Sequence, residues 1–344
     1  MRKIVAAVVL VVAGSYSVEA SQPVALRVES LMVPPSTQTM IFVQVKNLRD
    51  KPYETSLSLK VPEKWRIAPA VRNISLQPNE IKRVPFTIEW GVDVKANSYP
   101  IEVTAQNGPE KVVRRQNVVV ASAPYFKPTI DGIVDEWADA LAVTFTSGGK
   151  RSVISTYWNR RALSILIAVE EDDLLPYKGE GPFDAVQVAI SPQDTKTGTT
   201  IDEEATRFEF LFVSSGTGTE GTCFKLATPG MKLAEAAKRR DLAPLAYEDA
   251  KVAVTRSDGI TYYECSIPFK LMRGAIRPSE GRELFLSVLV HDVNGTGVRD
   301  WGEAAGLWLS QRNRLAWSDF KGAKWGEKIP FDNKLCWGLC TSKY

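Results

Sequence analysis

A single histidine, His291, stands among the 344 residues. That count excludes multi-histidine metal centres, and a Ser-His-Asp triad would have to be assembled around it alone. His291 lies in the strand-like run Val288-Leu289-Val290-His291-Asp292, sharing a face with Ser287 and Leu289, and reads as a structural histidine. Asp and Glu number 40, yet no motif singles out two carboxylates facing each other across a cleft, as glycoside hydrolysis requires. The residues therefore indicate no catalytic constellation. Asp202-Glu203-Glu204 gathers hard oxygen donors of the kind calcium takes; its other reading is a solvated charged loop. Asp131, Asp135 and Glu136 carry the same two readings. The nine tryptophans offer a different chemistry, since flat apolar rings stack on the C–H faces of sugars. Trp137 and Trp158 are expected to pack in a core. Trp301, Trp308, Trp317 and Trp325 lie among Gly, Ser, Asn and Arg, where exposure is expected.

Lys plus Arg is 43 against 40 acidic residues, evenly spread, which is no nucleic-acid footprint. Arg2 and Lys3 precede an apolar run from Ile4 to Ala13, and small residues follow up to Ala20. This pattern describes a secretory signal peptide over residues 1–20, short of the roughly 20 apolar residues of a membrane span. No later segment approaches that length, so the expected location is secreted, periplasmic or on the cell surface. An oxidising compartment permits Cys223, Cys265, Cys336 and Cys340 to pair, in any of three connectivities. A Cys336–Cys340 bridge would need a turn through Trp337-Gly338-Leu339, and Cys265 also reads as a buried apolar thiol.

The elements that must position these residues are strands. Residues 21–122 alternate apolar and polar positions, as in Ile41-Phe42-Val43-Gln44-Val45-Lys46, with Pro, Asn and Asp between runs. Strands are expected at Val24–Val33, Met40–Lys46, Ser56–Val61, Val84–Trp90, Ile101–Ala105 and Lys111–Val120, enough for an antiparallel immunoglobulin-like sandwich. Ala121-Ser122-Ala123-Pro124-Tyr125 reads as a short linker to a second unit, residues 124–344. There, Phe208, Phe210 and Phe212 share one parity while Arg207, Glu209 and Leu211 take the other. One face can pack on an opposite sheet while the other meets solvent or ligand. Met231 to Arg240 alone has helical composition.

Two resemblances follow from particular residues. Val45-Lys46-Asn47, Val61-Pro62-Glu63-Lys64-Trp65, Leu76-Gln77-Pro78-Asn79-Glu80 and Tyr99-Pro100-Ile101 resemble landmarks of the immunoglobulin-like domain that accompanies α-galactosidases. Further on come Ile130-Asp131-Gly132 with Asp135-Glu136-Trp137, Thr156-Tyr157-Trp158 with Ala162 to Val169 and Asp172-Asp173, and Asp184-Ala185-Val186-Gln187-Val188-Ala189-Ile190. Tyr263-Glu264-Cys265-Ser266-Ile267-Pro268 and Phe285 to Asp292 with Arg299-Asp300-Trp301 complete the series. In this order they resemble carbohydrate-binding modules of family 9 and their DOMON-like relatives.

Together the two resemblances imply an all-β chain of two sandwiches, and the second implies a surface for a polysaccharide or oligosaccharide. It also implies which residues would touch the sugar. Trp317 matches the family's second clamping Trp, and Phe183 stands where the first would sit. Gln187 takes the place of a family Glu, and Glu209, with Arg207 two residues away, the place of a family Arg. Trp301 is a further ring for stacking. The expected function is a non-catalytic glycan binder that serves polysaccharide breakdown beside a glycosidase, or works at the cell envelope. The alternative is a structural or adhesive envelope protein that keeps the sandwich without a sugar site.

Overall fold

A computed structural model describes residues 22–194, 199–200, 206–231, 241–304, 330–331 and 335–340. Alternating residues near the N-terminus build β1 (Val24–Val28), β2 (Met40–Asn47), β3 (Tyr53–Lys60), β4 (Arg66–Ala68), β5 (Val71–Leu76), β6 (Ile81–Trp90), β7 (Tyr99–Asn107) and β8 (Glu110–Val118). They form two four-stranded sheets, β1-β2-β6-β4 and β5-β3-β7-β8, whose inward residues close one core containing Val43, Phe86, Leu57 and Val103. Each expected strand falls on an observed one. β4 and β5 were not foreseen, being a three-residue strand and a half-exposed edge strand. The N-terminal landmarks meet here: Trp65 packs on Tyr99 with ring centroids 5.0 Å apart, and buried Asn47 donates from Nδ2 to the Lys51 carbonyl (2.8 Å) and the Gln77 carbonyl (3.0 Å).

The rest of the chain supplies β9 (Ser122–Ala123), β10 (Val143–Ser147), β11 (Lys150–Trp158), β12 (Ala162–Glu170), β13 (Ala185–Asp194), β14 (Thr199–Thr200), β15 (Phe208–Ser214) and β16 (Gly221–Ala227). β17 (Lys251–Ser257), β18 (Ile260–Pro268), β19 (Glu283–Asp292), β20 (Gly297–Asp300) and β21 (Leu335–Leu339) follow. Among the described residues they form a five-stranded sheet, β10-β11-β12-β18-β17, and an eight-stranded sheet along β16-β15-β13-β19-β21-β9. The architecture is all-β. Val186, Val188 and Ile190 of β13 and Phe208, Phe210 and Phe212 of β15 turn inward onto Ile165 and Ile167 of β12. Burying each such side chain contributes about 1.5–3 kcal/mol. The parity read from the three phenylalanines is the observed one.

The expected linker is built into a sheet. Ala121, Ser122 and Ala123 are buried, and β9 pairs with β21 in parallel. Small side chains suit this crossing: a Cβ on Gly338 of β21 would lie 2.8 Å from Met32. Arg83 of β6 joins Glu29 at 2.7 Å and Glu283 of β19 at 3.0 Å, so one guanidinium ties the two parts of the chain together. None of the four cysteines is in a disulfide, and all are buried. β21 is extended, which sets Cys336 and Cys340 about 13 Å apart, beyond disulfide reach. Burial pushes the Cys223 thiol upward. Among the described residues no helix is long and apolar enough to cross a membrane. The expected signal peptide and residues 232–240 of the helical stretch lie outside the described residues.

Candidate functional site

β13 reads Ala185-Val186-Gln187-Val188-Ala189, and its odd-numbered residues face away from the sandwich interior. Ala185 stands opposite His291 of β19, and Ala189 opposite Glu209 of β15. Two small residues thus leave room on the outer face, and Gln187 sits on the diagonal between the longer side chains. Its Nε2 donates to Glu209 Oε2 at 3.0 Å, and its Oε1 lies 2.9 Å from His291 Nε2. A carboxylate only accepts, so the Gln187 NH2 must face Glu209 and His291 Nε2 must carry the proton given to Oε1. Arg207 Nε donates to Glu209 Oε1. Arg207, Glu209, Gln187 and His291 therefore form one hydrogen-bonded chain across three strands, and all four are buried.

The structure brings together the three polar residues expected to contact sugar and adds His291, which the sequence assigned to fold alone. Parity put His291 on one face of its strand, but only the β13–β19 register reveals that Gln187 shares that face. The aromatic expectations fare differently. Phe183 packs at the Ala185 end of the same face, edge-on to Tyr177 with centroids 5.0 Å apart, in a cluster with Leu211, Val213 and Phe224. Trp301 is 1% exposed and stands edge-on to Trp337 at 5.5 Å inside the main core. The exposure expected for Trp301 is thereby corrected. The short helix Trp301–Ala304 follows β20 and turns the indole inward, leaving neither its ring nor that of Phe183 open as a shelf. Trp317, Trp308 and Trp325 lie outside the described residues, as do Asp202, Glu203 and Glu204.

The remaining landmarks hold loops. Glu264 of β18 accepts from Trp137 Nε1 at 2.7 Å and from the backbone N–H groups of Asp131 (3.0 Å) and Gly132 (2.9 Å). Two sequence motifs some 130 residues apart are thus halves of one hydrogen-bonded cluster. Trp158 donates to the Cys340 carbonyl at 2.6 Å, and both Trp137 and Trp158 are buried as expected. Asp184 accepts from Leu175 N (2.6 Å) and Val293 N (2.8 Å), pinning the two loops beside β13. Nearby Glu171 is buried, with Arg256 at 3.7 Å. Burial pushes its carboxyl up to about 7, and the carboxylates of Asp184 and Asp292 add to the rise. Among the acidic residues near the start of this part, Glu136 accepts from Thr129 N and Asp131 from Ile133 N. No group of three or more His, Cys, Asp or Glu among the described residues could hold a metal ion.

No protein-family profile matches the chain. Among solved structures it is similar to carbohydrate-binding modules of family 9. One, from Caldicellulosiruptor kristjanssonii in complex with glucose, is 12% identical and covers 64% of this chain and 95% of that one, with a TM-score of 0.39. Another from the same organism, in complex with cellotriose, is 12% identical over 50% of this chain and 76% of that one, with a TM-score of 0.34. Among curated proteins the chain is 25% identical over 234 residues to endo-1,4-β-xylanase A of Thermotoga neapolitana, 64% of this chain. The match spans 18% of that relative's length.

Proposed function

We propose that the chain is a secreted, non-catalytic carbohydrate-binding protein of two domains. An immunoglobulin-like spacer, residues 21–122, precedes a glycan-binding sandwich, residues 124–344. The observation that supports this best is the meeting of Gln187, Arg207 and Glu209 in one network on one sheet face. The family resemblance marks the positions of Gln187 and Glu209 for sugar hydroxyls, and Arg207 lies two residues from Glu209 with the same parity. Since all three are buried, the reading makes them the floor of the site, with Trp317 as its ring platform. A planar amide, a carboxylate and a guanidinium fixed by mutual hydrogen bonds lose little side-chain freedom when a ligand arrives. A single stacked ring then contributes modestly, which corresponds to dissociation constants between micromolar and millimolar.

Calorimetry with cellotriose and glucose, followed by a wider glycan array, tests the reading. Trp317→Ala should weaken binding at least tenfold; unchanged affinity removes Trp317 from the site. A service to polysaccharide breakdown, beside a glycosidase or at the envelope, follows from the same reading. A structural envelope role is the second reading, favoured by the complete burial of Phe183 and Trp301. It predicts a folded chain that retains no glycan and is recovered in a stable protein complex.

A further inference from the structure

The described residues include six tryptophans, and five of them are no more than 8% exposed; Trp90 is 60% exposed. It ends β6 on the N-terminal sandwich, far along the chain from the network above. Arg66 of β4 stands opposite Trp90, and Ile67 opposite Ile88, so Glu89 is an extra residue that bulges the strand. The bulge gathers three side chains at the end of one ladder. Arg66 Nε lies 2.8 Å from Glu89 Oε2, with both groups open to solvent, and Arg66 is the cross-strand partner of Trp90.

The base of the ring is fixed. A Cβ on Gly91 would lie 2.6 Å from the Pro35 Cβ and carbonyl oxygen, so this close crossing admits glycine only. Trp65 Nε1 donates to the Val92 carbonyl at 3.2 Å, and Asp93 accepts from Ser36 N at 3.0 Å and Ser36 Oγ at 2.5 Å. We infer that Trp90, with Arg66 and Glu89, forms a second carbohydrate contact on the N-terminal sandwich. A pyranose ring stacks on the indole while adjacent hydroxyls bridge the guanidinium and carboxylate. The chemistry selects this occupant. The ion pair is neutral as a unit, which gives no purchase to phosphates or nucleic acid. It also sets charge at the cross-strand position of the ring, unlike the apolar core of a protein interface. With the adjoining backbone held, only the two side-chain torsions of Trp90 are left to order on binding. With one contact on each sandwich, a polymeric glycan would be held bivalently.

The inference rests on the chain's being a glycan binder, and the test separates the two. Full-length wild type, Trp90→Ala, Trp90→Phe and Trp317→Ala are compared by retention on insoluble cellulose and xylan, by calorimetry with cellotriose, and by sedimentation velocity. Matching thermal midpoints confirm folding, which the exposure of Trp90 favours. Trp90→Ala should lose retention on the polymer about tenfold or more, with Trp90→Phe restoring part of it. Equal retention by wild type and Trp90→Ala overturns this inference alone. A fall in sedimentation coefficient without loss of retention also overturns it, making the ring a contact between copies. A wild type that binds no glycan overturns both readings.

Discussion

The two halves of the molecule use their sheets differently. From Tyr99 to Gln106, β7 on the N-terminal sandwich alternates buried positions with half-buried or exposed ones, as a sheet with one wet face must. β15 is buried at every position, and β19 at every position but its first. Both are antiparallel, so burial on two faces is no consequence of parallel crossovers. The second face of the eight-stranded sheet instead carries a buried polar chain flanked by apolar clusters. A one-sided sheet can keep most of its charges at the surface, where they contribute little to stability. The buried Arg83–Glu29 pair lies where the two parts of the chain meet. A two-sided sheet must satisfy every buried polar group, and its network is correspondingly sensitive.

Substitutions can break this contrast. Glu209→Ala removes the carboxylate faced by both Gln187 and Arg207 and leaves the guanidinium without that counter-charge in a buried place. Its expected cost is about 3–5 kcal/mol in urea unfolding at pH 7. A loss below about 1 kcal/mol would mean that water reaches the network. Glu171 sharpens the comparison through pH. Its carboxyl titrates near 7 when folded and near the ordinary 4.5 when unfolded, so stability is fully present below pH 4.5. It is lost as pH rises through 7, because the unfolded chain releases its proton first. Glu171→Gln should remove most of that slope and be more stable by about 2–3 kcal/mol at pH 8. Parallel pH profiles for the two proteins would contradict the assignment. On the wet face the effect should nearly vanish. Val71 of β5 is half exposed, and Val71→Thr should change stability by no more than about 0.5 kcal/mol in the same assay.

Much of the scaffold was legible because strand parity is a local property. Ile41 to Lys46 and the three phenylalanines of β15 declared their faces, and Trp137 and Trp158 were assigned to packing correctly. What stayed hidden depends on pairing. His291 could not be joined to Gln187 without the β13–β19 register, nor could Glu264 be linked to the Asp131-Gly132 turn. Trp301 misled because its neighbours Gly302, Arg299 and Asp300 suggest a loop, whereas the short helix after β20 faces its ring inward. The small residues Ala121 to Ala123 are equally ambiguous. Alanine and serine suit an exposed tether and a tightly crossed buried strand equally well, and only the parallel pairing with β21 distinguishes them.

The most direct test of the central claim is a broad glycan array probed with the folded full-length chain, with each hit titrated by calorimetry. Saturable binding of at least one saccharide class in the micromolar to millimolar range, weakened by Trp317→Ala, is the predicted result. A well-folded protein that retains no saccharide at millimolar concentration would contradict it.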